Sequence, residues 1–369
     1  MNDINNIFDD KDKEILESTG IDIKRETRSG TFIQSNHSVV SCNIRQDGIE
    51  ILPTKEALKK YSWLKDLMFK SFNNNVDDFL KNAEKKVSNG YFIYAKKGAK
   101  TKYPVQACLY ISNDNVEQYV HNFIVAEEGA DLHIISGCAT SHKVSSALHV
   151  GISEFFVGKN AKISFTMIHK WGENVTVTPK SAALVEDNGV FISNYISFEK
   201  VKYLKMYPTV YLNGKGSIGR FNSIVFAPEG SHLDLGSRCV LNGVGSKAEI
   251  VSRTVSAGGE IIARGHLVGA AKDIKAHLEC NGLLLKEKGL IHAIPELEAH
   301  LSDVDMSHEA AVGKIAEEEI EYLMSRGLTE EEATSAIVRG FLNVKIEGLP
   351  ERLEKQIETS LNELSDKFF

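Results

Sequence analysis

The residues of this 369-residue chain best suited to metal chemistry gather late in the sequence. Leu278-Glu279-Cys280-Asn281-Gly282 sits within a strand-like run, and Asp303-Val304-Asp305-Met306-Ser307-His308-Glu309 sits where that texture gives way to a helical one. Thiolate, imidazole and carboxylate donors together suit iron or an iron–sulfur cluster, and a mixed set holds a cluster less tightly than four thiolates would. Labile binding fits a donor of clusters better than an electron carrier. The competing reading is a core cysteine and a histidine that caps a helix.

Other chemistries find less support. The remaining cysteines are Cys42, Cys108, Cys138 and Cys239; none forms a close pair, which argues against structural zinc. Unpaired thiols, an acidic N-terminus and no apolar run near the ~18 residues that span a bilayer place the chain in a reducing cytoplasm. There the default role of a cysteine is that of a small buried hydrophobe. Gly214-Lys215-Gly216-Ser217-Ile218-Gly219 matches GxGxxG. The run that follows, Arg220 to Phe226, reads as a strand and not as the helix a pyrophosphate requires, so the motif is a turn. No GxxxxGK[ST] loop occurs, and His308-Glu309 lacks a second histidine four residues later. The arrangements of Asp, Ser and His single out no hydrolase triad.

The elements that must position these residues fall into three textures. From Asp9 to about Val87 the pattern is mostly helical, with a helix opening at Thr54 and another near Val76. After Gly90, short runs rich in Ile, Val, Phe and Tyr follow one another: Phe92 to Tyr94, Tyr119 to Val125, Leu132 to Ile134, Ile163 to Met167. Turns at Gly230, Gly245, Gly258, Asp273 and Gly289 then separate the runs His232 to Leu241, Glu249 to Val255, Glu260 to Leu267 and Ile274 to Leu285. No helix lies between them, so a doubly wound fold is disfavoured. A many-stranded sandwich and a parallel β-solenoid with roughly 30 residues per turn both survive. The 28 glycines beside 7 prolines favour the solenoid, whose corners need backbone freedom and whose stacked strands tolerate no missing donor. From about Ser307 helices return: Ala311 to Met324 with a stop at Gly327, a capping box at Thr329-Glu330-Glu331-Glu332, and a third helix from Pro350. With 25% charged residues and a net charge of −7, the composition is that of an ordinary globular protein with no basic surplus for nucleic acid.

Taken together, several short stretches resemble the SufB/SufD family of iron–sulfur cluster assembly proteins. They are Gly137-Cys138-Ala139-Thr140, Leu148-His149-Val150, Glu154, Gly219-Arg220, Ser256-Ala257-Gly258, Glu279-Cys280, Ile291 to Pro295, Ser307-His308-Glu309-Ala310 and Arg326 to Ala333. The resemblance covers most of the chain. It implies a mainly β protein whose core is a right-handed parallel β-helix with helical ends: residues 1–89 mostly helical, 90–306 the β-helix, and 307–369 a helical domain that docks an ATPase.

The resemblance also implies roles. Cys280 matches the SufB cysteine on which clusters assemble, and Cys138 the one associated with accepting sulfur and passing it along the β-helix. Glu309 matches a SufB glutamate, whereas Ser307-His308 matches a SufD context, so the chain looks like an undivided SufB/SufD type and suggests a homodimer. Its partners would be a SufC-type ABC ATPase, a sulfur donor and apo iron–sulfur proteins, with Cys280, His308 and Glu309 of two copies meeting around a transient cluster. Cys239 has no recognised counterpart; one strand pair before Cys280, it is a possible extra ligand or a buried thiol. Reduced flavin is allowed by the resemblance, although no flavin motif is present. ATP hydrolysis would lie in the partner. The alternatives are a SufD-like structural or iron-recruiting subunit without a cluster of its own, and a β-helix carbohydrate lyase, for which no cluster of Asp and Arg is identifiable.

Overall fold

The computed structural model describes residues 7–23, 27–72, 77–342, 351, 354, 355 and 357–359. Two sheets face each other across one apolar core. The first stacks strands Ser38–Ile44, Gly30–Ser35, Val105–Ile111, Asp131–Thr140, Lys162–Lys170, Val190–Ser197, Ile218–Pro228, Lys247–Ala257, Ile274–Leu284 and Val304–Gly313 in that order. The second runs from Ile49–Pro53 to Leu290–Ala299, and the chain passes from one sheet to the other at almost every turn. Apart from the two pairings at the start of the molecule, neighbours are parallel. Lys247 pairs with Lys275 and Lys275 with Asp305, so a turn takes about 30 residues and about eight turns make the solenoid.

The corners explain the glycine count. Gly230, Gly245 and Gly258 take positive φ, and Asp273 and Asn188 enter the same region at φ 58° and 53°. Short polar side chains tolerate this geometry where β-branched residues do not. The GxGxxG segment is indeed a corner. A Cβ on Gly214 would lie 2.0 Å from the Asp187 nitrogen of the preceding turn, and strand Ile218–Pro228 follows.

Two regions depart from the sequence reading. Between Gly30 and Pro53 there are three strands in place of the expected helix. They are five to seven residues long, too short for periodicity to separate from a helix turn, and pairing with Val105–Ile111 and Tyr91–Ala95 decides the matter. Their antiparallel returns close the first end of the solenoid. At the other end, strand Val304–Gly313 pairs residue by residue with Ile274–Leu284. Val312 and Ile315 therefore precede the first C-terminal helix, which begins only at Glu317.

Among the described residues, the helices on this body include α1 (Asp10–Ser18), α2 (Thr54–Lys60), α3 (Asp78–Lys86), α4 (Glu317–Met324) and α5 (Glu330–Leu342). The capping box ahead of α5 is formed in both directions, Thr329 N to Glu332 Oε2 at 2.8 Å and Glu332 N to Thr329 Oγ1 at 3.2 Å. Gly327 takes φ 98°, as a helix stop should. α5 buries Ala333, Val338 and Leu342, the last two against Ile168, Ile196 and Val255 on the outer side of the first sheet. α4 buries none of its residues, leaving Tyr322 59% exposed beside Glu317, Glu318 and Glu319. Of the helix expected from Pro350, residues 351, 354, 355 and 357–359 are described and helical, and Ile357 packs against the same apolar cluster as α5; the rest lies outside the described residues.

Candidate functional site

Side chains in a strand alternate between faces, and in a parallel pair registered residues share a face. Along Ile274–Leu284, Ala276, Leu278 and Cys280 are buried inward, whereas Lys275, His277 and Glu279 point outward. Cys280 lies between Ser252 on one neighbouring strand and Ala310 on the other. His308 registers with Leu278 and so shares the inward face with Cys280, two positions along the adjacent strand. Glu309 registers with outward-facing Glu279. The structure thus brings Cys280 and His308 to one face at the open end and sets Glu309 on the other. Because no further turn among the described residues covers Val304–Gly313, His308, Glu309 and Ala310 are all exposed.

Cys280 itself is only 2% exposed. Burial, with Glu279 nearby, pushes its thiol up to about 11. On the outer face, Glu279 lies 3.4 Å from Arg253 Nη2 and accepts from Asn281 Nδ2 at 2.7 Å. Arg253 Nη1 in turn donates to the Phe341 carbonyl at 3.0 Å. The end of α5 is in this way wired to the strand that carries Cys280.

Cys138 lies on strand Asp131–Thr140, facing the same core. Burial pushes its thiol up to about 12. Next to it in register stands His169, whose Nδ1 pairs with the Tyr195 hydroxyl at 2.9 Å. His169 Nε2 and the neighbouring Trp171 Nε1 have no hydrogen-bond partner. Burial holds His169 well below the ordinary imidazole value, hence neutral. Four strands separate that of Cys138 from that of Cys280 in the sheet order, a span of roughly 24 Å at ~4.8 Å per strand.

That span is lined with polar groups. One registered inward column runs Ser136, Met167, Tyr195, Ser223, Ser252, Cys280. Ser223 Oγ donates to Ser252 Oγ at 3.1 Å, and Met167, Tyr195 and Ser223 border a narrow cavity of about 30 Å³. Sequence reasoning singled out none of these intermediates. The signal was the turn length, since stepping back from Cys280 one turn at a time lands on Ser252, Ser223 and Tyr195.

Cys239 is placed differently. It lies in the second sheet, fully buried between Val210 and Leu267, with its thiol pushed up by burial. Other signature residues hold the scaffold together. A Cβ on Gly137 would meet Thr19 Oγ1 at 2.5 Å, so glycine lets the end of α1 approach. His149 bonds Gln118 Oε1 at 2.9 Å and is pushed down to about 3 by burial. The fully buried Glu154 carboxylate accepts from Phe69 N at 2.6 Å, Ser71 N at 3.1 Å and Ser71 Oγ at 2.7 Å, and faces His121 Nε2 at 3.0 Å.

Among the described residues no helix is long and apolar enough to cross a membrane. Residues 109–341 match the family profile described as SUF system FeS cluster assembly, SufBD core domain. The chain is 51% identical to an iron-sulfur cluster assembly SufBD family protein of Archaeoglobus fulgidus, over 95% of this chain and 94% of the relative. A protein of the same description from Methanothermobacter thermautotrophicus is 48% identical over 95% and 87%, and one from Pyrococcus horikoshii 31% over 92% and 77%.

Proposed function

Because the chain belongs to the SufBD family of iron–sulfur cluster assembly proteins, we propose that it is a cytoplasmic scaffold on which clusters are built and handed on, working as a homodimer with a SufC-type ABC ATPase. The observation that carries this reading is the open end of the solenoid. There a buried thiol, Cys280, stands one strand in from an exposed edge strand bearing His308 and Glu309. An unpaired strand edge is a template for a second copy. Leu290, Leu297, Leu301 and Val312 are each 39 to 51% exposed around that rim, which supplies apolar area for such a contact. Pairing two copies there would bring two sets of Cys280, His308 and Glu309 to one seam, with the nascent cluster as cargo.

Cys138, about five strand spacings away, is the proposed entry point for sulfur, and the polar inward column is the proposed route to Cys280. The hydroxyls of Tyr195, Ser223 and Ser252 in that column, with the His169 imidazole beside Cys138, suit the passage of a polar sulfur species better than apolar walls would. The exposed acidic helix α4, with Tyr322 in its last turn, is the proposed ATPase dock. α5, bonded to Arg253, would transmit closure of the ATPase to the strands beside Cys280.

The test is anaerobic co-expression with the ATPase, followed by iron and sulfide analysis and visible spectroscopy of the purified complex. A chromophore carried by the wild type and lost in Cys280→Ser, at unchanged oligomeric state, is expected. An intact complex that never holds iron would sink the scaffold reading and favour the SufD-like one.

A further inference from the structure

Away from the open end, three side chains converge where no role has yet been given. Asp9 caps α1, Asp12 lies in its first turn, and His142 follows strand Asp131–Thr140. Each offers one ligand atom, and these atoms all lie within 4.8 Å of one another. His142 Nδ1 is 3.1 Å from Asp12 Oδ1, and its Nε2 is 3.9 Å from Asp9 Oδ2. Ser141 Oγ donates to the same Asp12 oxygen at 2.8 Å, which fixes that carboxylate.

Two further observations point to a cation. The Tyr110 hydroxyl, on a fully buried side chain, lies beside Asp12 and Ser141 yet closes no hydrogen bond of normal geometry. A buried phenol oxygen left in this way is costly unless something completes its environment. The chain also already places a positive charge here: Lys143 Nζ lies 2.7 Å from Asp9 Oδ2, at the end of a side chain 64% open to solvent. An ammonium in that position marks where a cation is attracted, and it can swing into water when a stronger one arrives.

Two carboxylates, an imidazole and a phenol are hard or borderline donors, suited to Mn²⁺, Fe²⁺ or Zn²⁺ and unsuited to Cu⁺. We propose that Asp9, Asp12 and His142 form a divalent-cation site for a first-row ion such as Fe²⁺, with Lys143 as the internal cation that the arriving ion displaces. The site sits on the outer side of the strand whose inner side carries Cys138, with α1 packed close over Gly137. Only the choice of iron as the physiological ion rests on the assembly function proposed above; the site itself does not.

The experiment titrates Mn²⁺ into the full-length Cys280→Ser protein, which removes the thiolate site, and follows loss of the six-line EPR signal of the free ion. One ion per chain is expected, weakened at least tenfold in His142→Ala and Asp12→Asn. Lys143→Met, which removes the competitor, tightens binding, and Fe²⁺ added anaerobically displaces the Mn²⁺. Should Asp12→Asn unfold, the more exposed Asp9→Asn carries the same expectation. No binding in either the parent or Lys143→Met, or binding indifferent to Asp9 and His142, overturns the site while leaving cluster assembly on Cys280 untouched.

Discussion

A thiol that must ligate iron has to lose its proton, and burial makes this costly at Cys280. With its pKa near 11, about one molecule in 3,000 carries the thiolate at pH 7.5, against roughly one in ten for an ordinary cysteine near 8.5. The difference from the unperturbed value corresponds to about 3 kcal/mol. Since thiolates are the species that react, iodoacetamide should modify Cys280 at pH 7.5 at least 300-fold more slowly than a free cysteine. The rate should climb about tenfold per pH unit up to roughly pH 10. Peptide mass spectrometry after timed quenching reads Cys280 separately from the four other thiols. Glu279→Gln should lower the midpoint, because the carboxylate is the second cause of the shift. Modification within tenfold of the free-cysteine rate at pH 7.5, with a midpoint near 8.5, would refute the burial argument. With so high a pKa, the proposed capture of a cluster at Cys280 would itself have to drive the proton off, which would make binding there both pH-dependent and readily reversed.

Two further outcomes are expected. Glu154→Gln turns an acceptor of two backbone N–H groups, a hydroxyl and an imidazole into an amide whose NH₂ faces donors; it should cost about 3 to 5 kcal/mol in urea unfolding at pH 6.5. Desolvation lowers the pKa of His121, but Glu154 and Glu84 together outweigh it and raise it. The charged imidazole therefore stabilises the fold fully below its unfolded pKa of about 6.5 and ceases to do so as pH rises through the raised value. The Glu154→Gln penalty should accordingly shrink by pH 9; a penalty under about 1 kcal/mol, or one that does not change with pH, contradicts the network. For sulfur entry, Cys138→Ala should block cluster formation from a persulfide donor but not from free sulfide, whereas Cys108→Ala, which faces α1 and not the inner column, should leave both intact. Equal loss with both sulfur sources would remove Cys138 from the route.

The solenoid was legible because its signals repeat. Glycine and Asp corners recur at nearly constant spacing, and the strand runs from His232 to Leu285 appear almost residue for residue. What failed to show were features fixed by distant partners. The strands between Gly30 and Pro53 take their identity from Val105–Ile111 and Tyr91–Ala95, far later in the chain. The helix expected to open at Thr54 does begin there, but the Thr54 hydroxyl donates to the distant His121 carbonyl and the helix has no side-chain cap.

The same limit governs the candidate site. Cys280, His308 and Glu309 look like one constellation when Ser307 to Glu309 is read as the approach to a helix, because a helix or loop can turn adjacent side chains to a common point. Once the segment is a strand in unbroken register with Ile274–Leu284, neighbours in sequence must face opposite ways. His308 then belongs with Cys280, and Glu309 with Glu279 and the Arg253 link to α5. One residue of parity thus divides the motif between the face where a cluster would be ligated and the face wired to the C-terminal helices. A device that couples motion of those helices to ligation needs a residue on each side of the same strand, and adjacent positions on an uncovered edge are where a single strand supplies both.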